Sequence, residues 1–440
     1  MSVLEDFASE LVSTGLEDLP EAARERLQLH LLDTLGAWIA GRASSEGRAL
    51  AADREGPGPV RFDESMVDRI ALSIAQTRLT EVDDIHMASC TTPGSVIAPT
   101  VLTLAASLGS GRDQVLAALN AGYTATIRAG LAIDGARILY RGIWPTYFAA
   151  PFGAAAAAST LFGLGAKACA HALALSLVQI SGAAGGPAPG RNPRWLLAGW
   201  AAAAGVRSAI AASRGFGGDT SLLDGDWLEA THGLNFNGDK LSGAPGGDIL
   251  ATSMKTACTA KQAASALAAF RKIIADGPGV DAIEKVEVFV PPAYWHMVSR
   301  QPPGRLGRIV SARWQCAVAA LYPQDLLDID RTDHGQNPAF LEFLGRIGVE
   351  EDPALEAHFP EHYPARVVIG YRNGNKREAL VTSAPGDPDA ALDTAQIRQK
   401  FRTLTTHARG PEFPDAALAV VDSFCSGAGD AASLAALGAN

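Results

Sequence analysis

Between Glu81 and Val96 the chain reads EVDDIHMASCTTPGSV, which sets Glu81, Asp83, Asp84 and His86 within six residues. Two carboxylates held close raise one pKa, and an adjacent imidazole then exchanges protons near neutral pH. Those are the groups that general acid–base catalysis requires. Two other readings fit the same residues. They could form a metal-free structural cluster capping the helix that starts near Gly94, or an Asp-Asp-x-His metal site. No second His or carboxylate cluster accompanies them, so no metal is expected. Pro93-Gly94 with Ser95 ahead of an apolar run is a helix start. Its free backbone N–H groups suit an anion, although a simple helix cap reads the same way.

Other candidates are scattered. Lys255, in MKTACTAKQ, precedes a helix. A lysine at a helix N-terminus is disfavoured unless an anion binds there or its pKa falls, whereas a solvated lysine needs neither. RGIWPTYF and GRNPRWLLAG place Arg141 and Arg194 beside tryptophan and proline. Guanidinium forks suit carboxylates, yet most such arginines are ordinary surface residues. Cys258 has no histidine nearby in sequence, so a buried thiol is the simpler reading. The nucleotide-binding glycine patterns and the HExxH metal motif are missing.

The elements that must position these residues change character along the chain. From about residue 20 to 245 helical periodicity dominates: PEAARERLQLHLLDTLGAWIAG puts Leu27, Leu31, Leu35 and Trp38 on one face, between Pro20 and Gly41. Alanine and glycine fill these segments, so the axes pack closely. GIWPTYFAAPFGAAAAASTLFGLGA reads as a buried helix pair rather than a membrane span. After about residue 250 the pattern shifts. TAKQAASALAAFRKIIADG carries an Ala263, Leu267, Phe270, Ile274 stripe, and IEKVEVFVP alternates Val286, Val288, Val290. Two strand-like runs then flank Asn373-Gly374, a strong hairpin signal. The tail from TAQIRQKFRTL returns to helix, while GAGDAASLAALGAN reads as a fraying end. The fold class expected is mainly α: a large all-helical domain (1–250 and 395–440) with a smaller α+β lid (251–394) inserted before the C-terminal helix.

At 440 residues, 48% hydrophobic and 19% charged, the chain can bury a large core. A net charge of −10 argues against a nucleic-acid partner. Five dispersed cysteines form no disulfide or zinc pattern, and the acidic start lacks a signal core. The expectation is a cytoplasmic protein with no membrane contact.

Taken together, LLDTLGAWIAG, EVDDIHMASCTTPGSVIAP, AGYTATIRAG, GIWPTYFAAPFGAAAAASTLFGL, RGFGGDTSLLDGDW, MKTACTAKQAASAL and APGDPDAALDTAQIRQKF resemble the MmgE/PrpD family across nearly the whole chain. That family includes 2-methylcitrate dehydratase, cis-aconitate decarboxylase and iminodisuccinate epimerase. The resemblance implies the helical domain plus α+β lid, a homodimer, no organic cofactor and a small carboxylate substrate. The residues and this resemblance together point to Asp83, Asp84, His86 and Lys255 as catalytic, and to Glu81, Thr92, Ser95, Arg141, Trp144, Thr146, Arg194, Lys261 and Gln262 as substrate-binding.

The departures are pronounced. Thr92 and Trp144 stand where relatives commonly carry His, no His follows Lys255 in its motif, and Trp314 stands for a lid tyrosine. His86 is the only histidine in these motifs. Tryptophan for His and Tyr implies a substrate with more apolar area. The leading expectation is a cofactor-independent lyase of dehydratase type, followed by an isomerase or epimerase, then a decarboxylase. The lost histidines also admit a non-catalytic carboxylate-binding relative.

Overall fold

The computed structural model describes residues 1–51, 65–180, 193–300, 304–330 and 332–439. The glycine-rich stretch GAAGGPAPGRNP, whose composition reads as a loop, lies almost wholly outside these residues, as do the side chains of Pro193, Arg194 and Leu306. The chain divides into two compact units: unit 1 comprises Met1–Gly186, Pro193–Thr252 and Asp393–Asn440, and unit 2 comprises Ser253–Leu392.

Unit 1 is helical. Its principal helices are α1 (Val3–Ser13), α2 (Glu21–Ala43), α3 (Met66–Arg78), α4 (Pro93–Leu108), α5 (Arg112–Ala132), α6 (Pro145–Leu161), α7 (Ala166–Leu177) and α8 (Pro193–Ser213). In unit 2, α9 (Lys261–Ala275) and α10 (Ala312–Leu321) follow. Unit 1 then resumes with α11 (Thr394–Arg409), α12 (Phe413–Cys425) and α13 (Ala431–Ala439).

Small residues let the helices of unit 1 meet backbone to backbone. Gly41 does not stop α2: the helix runs on to Ala43, and a Cβ at Gly41 would strike the Gln76 carbonyl of α3. The apolar GIWPTYF run forms one buried helix, α6, rather than a pair. Leu27, Leu31, Leu35 and Trp38 are buried as their spacing requires, but so is nearly every residue of α2 from Arg26 to Gly41. That burial takes in His30 and Asp33. The C-terminal segment, expected to fray, is helix α13, and Gly438 lies flat on the Trp38 indole. Among the described residues one helical stretch, Trp195–Ser213 of α8, is long and apolar enough to cross a bilayer, and half of it is buried in the protein.

Unit 2 is a helix-covered mixed sheet of β1 (Ile283–Val290), β2 (Ile347–Glu351), β3 (Ala365–Tyr371) and β4 (Lys376–Val381) in the order β2-β1-β3-β4. β1 runs parallel to β2 and antiparallel to β3. Val286, Val288 and Val290 all point into the core, as period-two alternation demands. Asn373-Gly374 sits in the β3–β4 turn, with Gly374 at φ 84°. α9 buries Ala263, Ala266, Leu267, Phe270 and Ile273, so its stripe ends on Ile273 rather than Ile274.

Candidate active site

The segment after α3 is held tightly. Glu81 and Cys90 both adopt left-handed backbone (φ 55° and 52°), uncommon for residues with a Cβ. Between them His86 N–H donates to the Thr91 carbonyl at 2.9 Å, closing the turn that leads to Pro93, the first residue of α4.

The carboxylates of this segment go to different partners. Asp84 is fully buried. Its Oδ1 accepts the Gly94 N–H at 2.8 Å, and its Oδ2 accepts the Tyr123 hydroxyl at 2.6 Å and lies 2.8 Å from His30 Nδ1. An ionised carboxylate in this position accepts from all three, which places the His30 proton on Nδ1. His30 Nε2 is then a buried lone pair with no hydrogen-bond partner. Burial first, and the Asp84 charge second, push the Tyr123 hydroxyl well above its usual pKa, so it acts as a donor. Gly94 has no alternative here: a Cβ would lie 2.5 Å from Tyr123 Oη and 2.6 Å from both Asp84 Oδ2 and Thr34 Oγ1.

Asp83 and Glu81 instead meet Arg78, whose Nη1 is 3.1 Å from Asp83 Oδ1 and 3.1 Å from Glu81 Oε2. Burial pulls the Arg78 pKa down, and Asp83 and Glu81 more than offset it, so the guanidinium stays charged. Trp195 Nε1–H donates to Glu81 Oε1 at 3.3 Å. Alongside, Asp33 Oδ1 is 2.6 Å from Lys400 Nζ of α11, at angles outside hydrogen-bond geometry, while that ammonium donates to the Val82 carbonyl at 2.9 Å. Burial raises the Asp33 pKa, and Lys400 works against it.

His86 stands apart from the Asp84 network among the described residues. Ser89 N–H donates to His86 Nδ1 at 3.2 Å, so the ring proton sits on Nε2. Burial pushes the imidazole down to about 4. At neutral pH it is an uncharged Nε2–H donor, not the titrating hub that its sequence position suggests. The helix start at Gly94–Ser95 is also already in use, its N–H bound to Asp84 and Ser95 Oγ donating to the Thr92 carbonyl at 3.0 Å. Thr92 and Thr146 do come together, Thr92 N–H donating to Thr146 Oγ1 at 3.0 Å, where α4 and α6 both begin with proline. Trp144 caps α6 and stacks on Tyr147 with ring centres 5.8 Å apart. Arg141 donates to the Gly233 carbonyl at 3.1 Å. The side chain of Arg194, in the first turn of α8, lies outside the described residues.

In unit 2, Lys255 does not sit at a helix N-terminus; α9 begins at Lys261, and Gln262 is buried beside it. Lys255 and Lys261 are 5% and 4% exposed and line a cavity of about 360 Å³ with Thr256, Thr259, Leu267 and Arg271. Lys261 pairs with Asp387, which also accepts the Ala384 N–H at 2.8 Å. Burial lowers the Lys261 pKa, Asp387 raises it in part, and the nearby Lys255 charge lowers it further. Trp314 is packed between Phe340 (4.7 Å) and the Arg308 guanidinium (5.0 Å), and Cys258 is fully buried. The cavity wall is alkyl and cationic, and neither Trp144 nor Trp314 lines it. Among the described residues no group of three His, Cys, Asp or Glu side chains is placed to hold a metal ion.

The family model of the MmgE/PrpD N-terminal domain matches residues 5–235, and that of the C-terminal domain matches residues 256–422. The chain belongs to the MmgE/PrpD family. No curated protein matches it. In this MmgE/PrpD chain Asp84 falls in the first matched segment and Lys261 in the second, while Lys255 stands just ahead of the second. His30, Asp33, Tyr123 and Lys400 were not singled out from sequence. The available signal was a pair of ionisable residues three apart in a leucine-rich stretch, LQLHLLDTLGAW.

Proposed function

We propose that the protein is a cofactor-independent lyase of dehydratase type, acting on a small carboxylic acid. A proton leaves the carbon next to a carboxylate, hydroxide departs from the neighbouring carbon with a proton from the enzyme, and a carbon–carbon double bond and water result. The observation that carries this reading is the unit 2 cavity lined by Lys255, Lys261, Arg271 and Lys272, a cationic lining that suits a carboxylate. Family membership supports it, since the family's known reactions share proton transfer beside a carboxylate. Lys255 holds the substrate.

The same proton transfer without loss of water would make the enzyme an isomerase or epimerase. The closed hydrogen bonding of Asp84 favours a second reading, a carboxylate binder without turnover. Incubating the protein with 2- and 3-hydroxy di- and tricarboxylates in deuterated water, read by NMR, separates these. Olefinic signals with loss of the carbinol support the lyase, and deuterium beside the carboxylate without net conversion supports the isomerase. Binding with neither leaves only the binder. Activity is expected to survive EDTA, and light scattering is expected to report a homodimer at micromolar concentration, for which the exposed Trp200 and Phe216 offer apolar surface.

A further inference from the structure

The unit 2 cavity is longer than a small carboxylate needs. Along α9, Lys261, Ala264, Ala268 and Lys272 recur at i, i+3, i+7 and i+11, one helical stripe, and all four line it together with Leu267 and Arg271. Ten residues at the helical rise put Arg271 about 15 Å from Lys261 along the axis. The buried cations Lys255 and Lys261 mark one end, and the exposed Arg271 and Lys272 mark the other. Neither Arg271 nor Lys272 forms an ion pair among the described residues, whereas Lys261 is paired with Asp387, which is not among the lining residues. Between the two ends the wall is methyl and isobutyl surface.

We propose that this cavity binds an elongated ligand with an anionic group at each end and an alkyl middle, one carboxylate at Lys255 and Lys261 and the other at Arg271 and Lys272. That the ligand is the substrate rests on the lyase reading; the binding itself does not. A short di- or tricarboxylate would fill only the buried end.

The test is calorimetric titration of the full chain with straight-chain α,ω-diacids from succinate to dodecanedioate, with decanoate as the one-charge control. Affinity is expected to rise about two- to fourfold per methylene laid on Ala264, Ala268 and Leu267, then to level off once the second carboxylate reaches Arg271. Sebacate should bind at least about fivefold more tightly than decanoate, the size of one surface ion pair. In the double variant Arg271→Ala, Lys272→Ala, both on the exposed face of α9, that advantage over decanoate should vanish while succinate binding stays unchanged. Equal affinity across the diacids, or decanoate matching sebacate, overturns the inference, even if the protein turns over a short hydroxy acid. Chain-length dependence without any turnover would instead retain this site and remove the lyase reading.

Discussion

Asp84 and Lys255 are comparably buried, yet their surroundings differ in kind. Asp84 lies in unit 1 with a donor on every side: Gly94 N–H, Tyr123 hydroxyl and His30. Lys255 lies in unit 2 on the wall of a cavity that Lys261, Arg271 and Lys272 also line. A buried charge enclosed by donors of the fold is fixed before any ligand arrives, whereas several cations lining open space suit an anionic ligand. The comparison separates residues that hold geometry from residues that recognise.

The strongest way to break it is to remove the matched charge. Asp84→Ala strands the Tyr123 hydroxyl and His30 in a dry interior and is expected to cost about 3–5 kcal/mol by urea denaturation. A loss below about 1 kcal/mol would show that the cluster is not structural. Next comes pH. The His86 imidazole is held near 4, below its ordinary value of 6.5. The unfolded chain therefore takes up a proton that the folded chain refuses as pH falls from about 6.5 to about 4. Stability is complete above that window and declines within it, by about 3 kcal/mol. His86→Gln should flatten that part of a Tm-versus-pH curve, and an unchanged slope would contradict the burial argument.

A smaller effect is expected at Gly94. The added methyl of Gly94→Ala meets three polar atoms, so a loss of about 1–3 kcal/mol is expected, with the Asp84 hydrogen bonds disturbed. Crystallographic positions of Tyr123 and His30 in that variant would show whether the cluster yields as a unit.

What could be read from sequence was the local part. Alternation at Val286, Val288 and Val290, the Asn373-Gly374 turn and the helical stripes are set by neighbours in the chain, so the mainly α character with a small sheet was legible. The Asp84 cluster was only half legible. Its carboxylate stood out in EVDDIH, but its partners come from α2, α5 and the start of α4, and Lys400 reaches Val82 from 318 residues away. Nothing local marks such pairings. Small residues misled in two places. The alanine-rich tail looked loose, yet it packs because Gly438 fits against Trp38, and Gly41 looked like a stop where it is a close contact with α3. His86 misled in the opposite direction, since its neighbours suggested titration near neutral pH and its burial moves it down to about 4.

The most direct measurement is calorimetric binding of glutarate to three proteins: wild type, Asp84→Asn and Lys255→Ala. The account predicts that wild type and Asp84→Asn bind alike, even though the second is less stable, and that Lys255→Ala weakens binding about tenfold or more, the size of a lost charge-assisted contact in a buried site. Wild-type affinity in Lys255→Ala, or a loss in Asp84→Asn equal to that in Lys255→Ala, would contradict it.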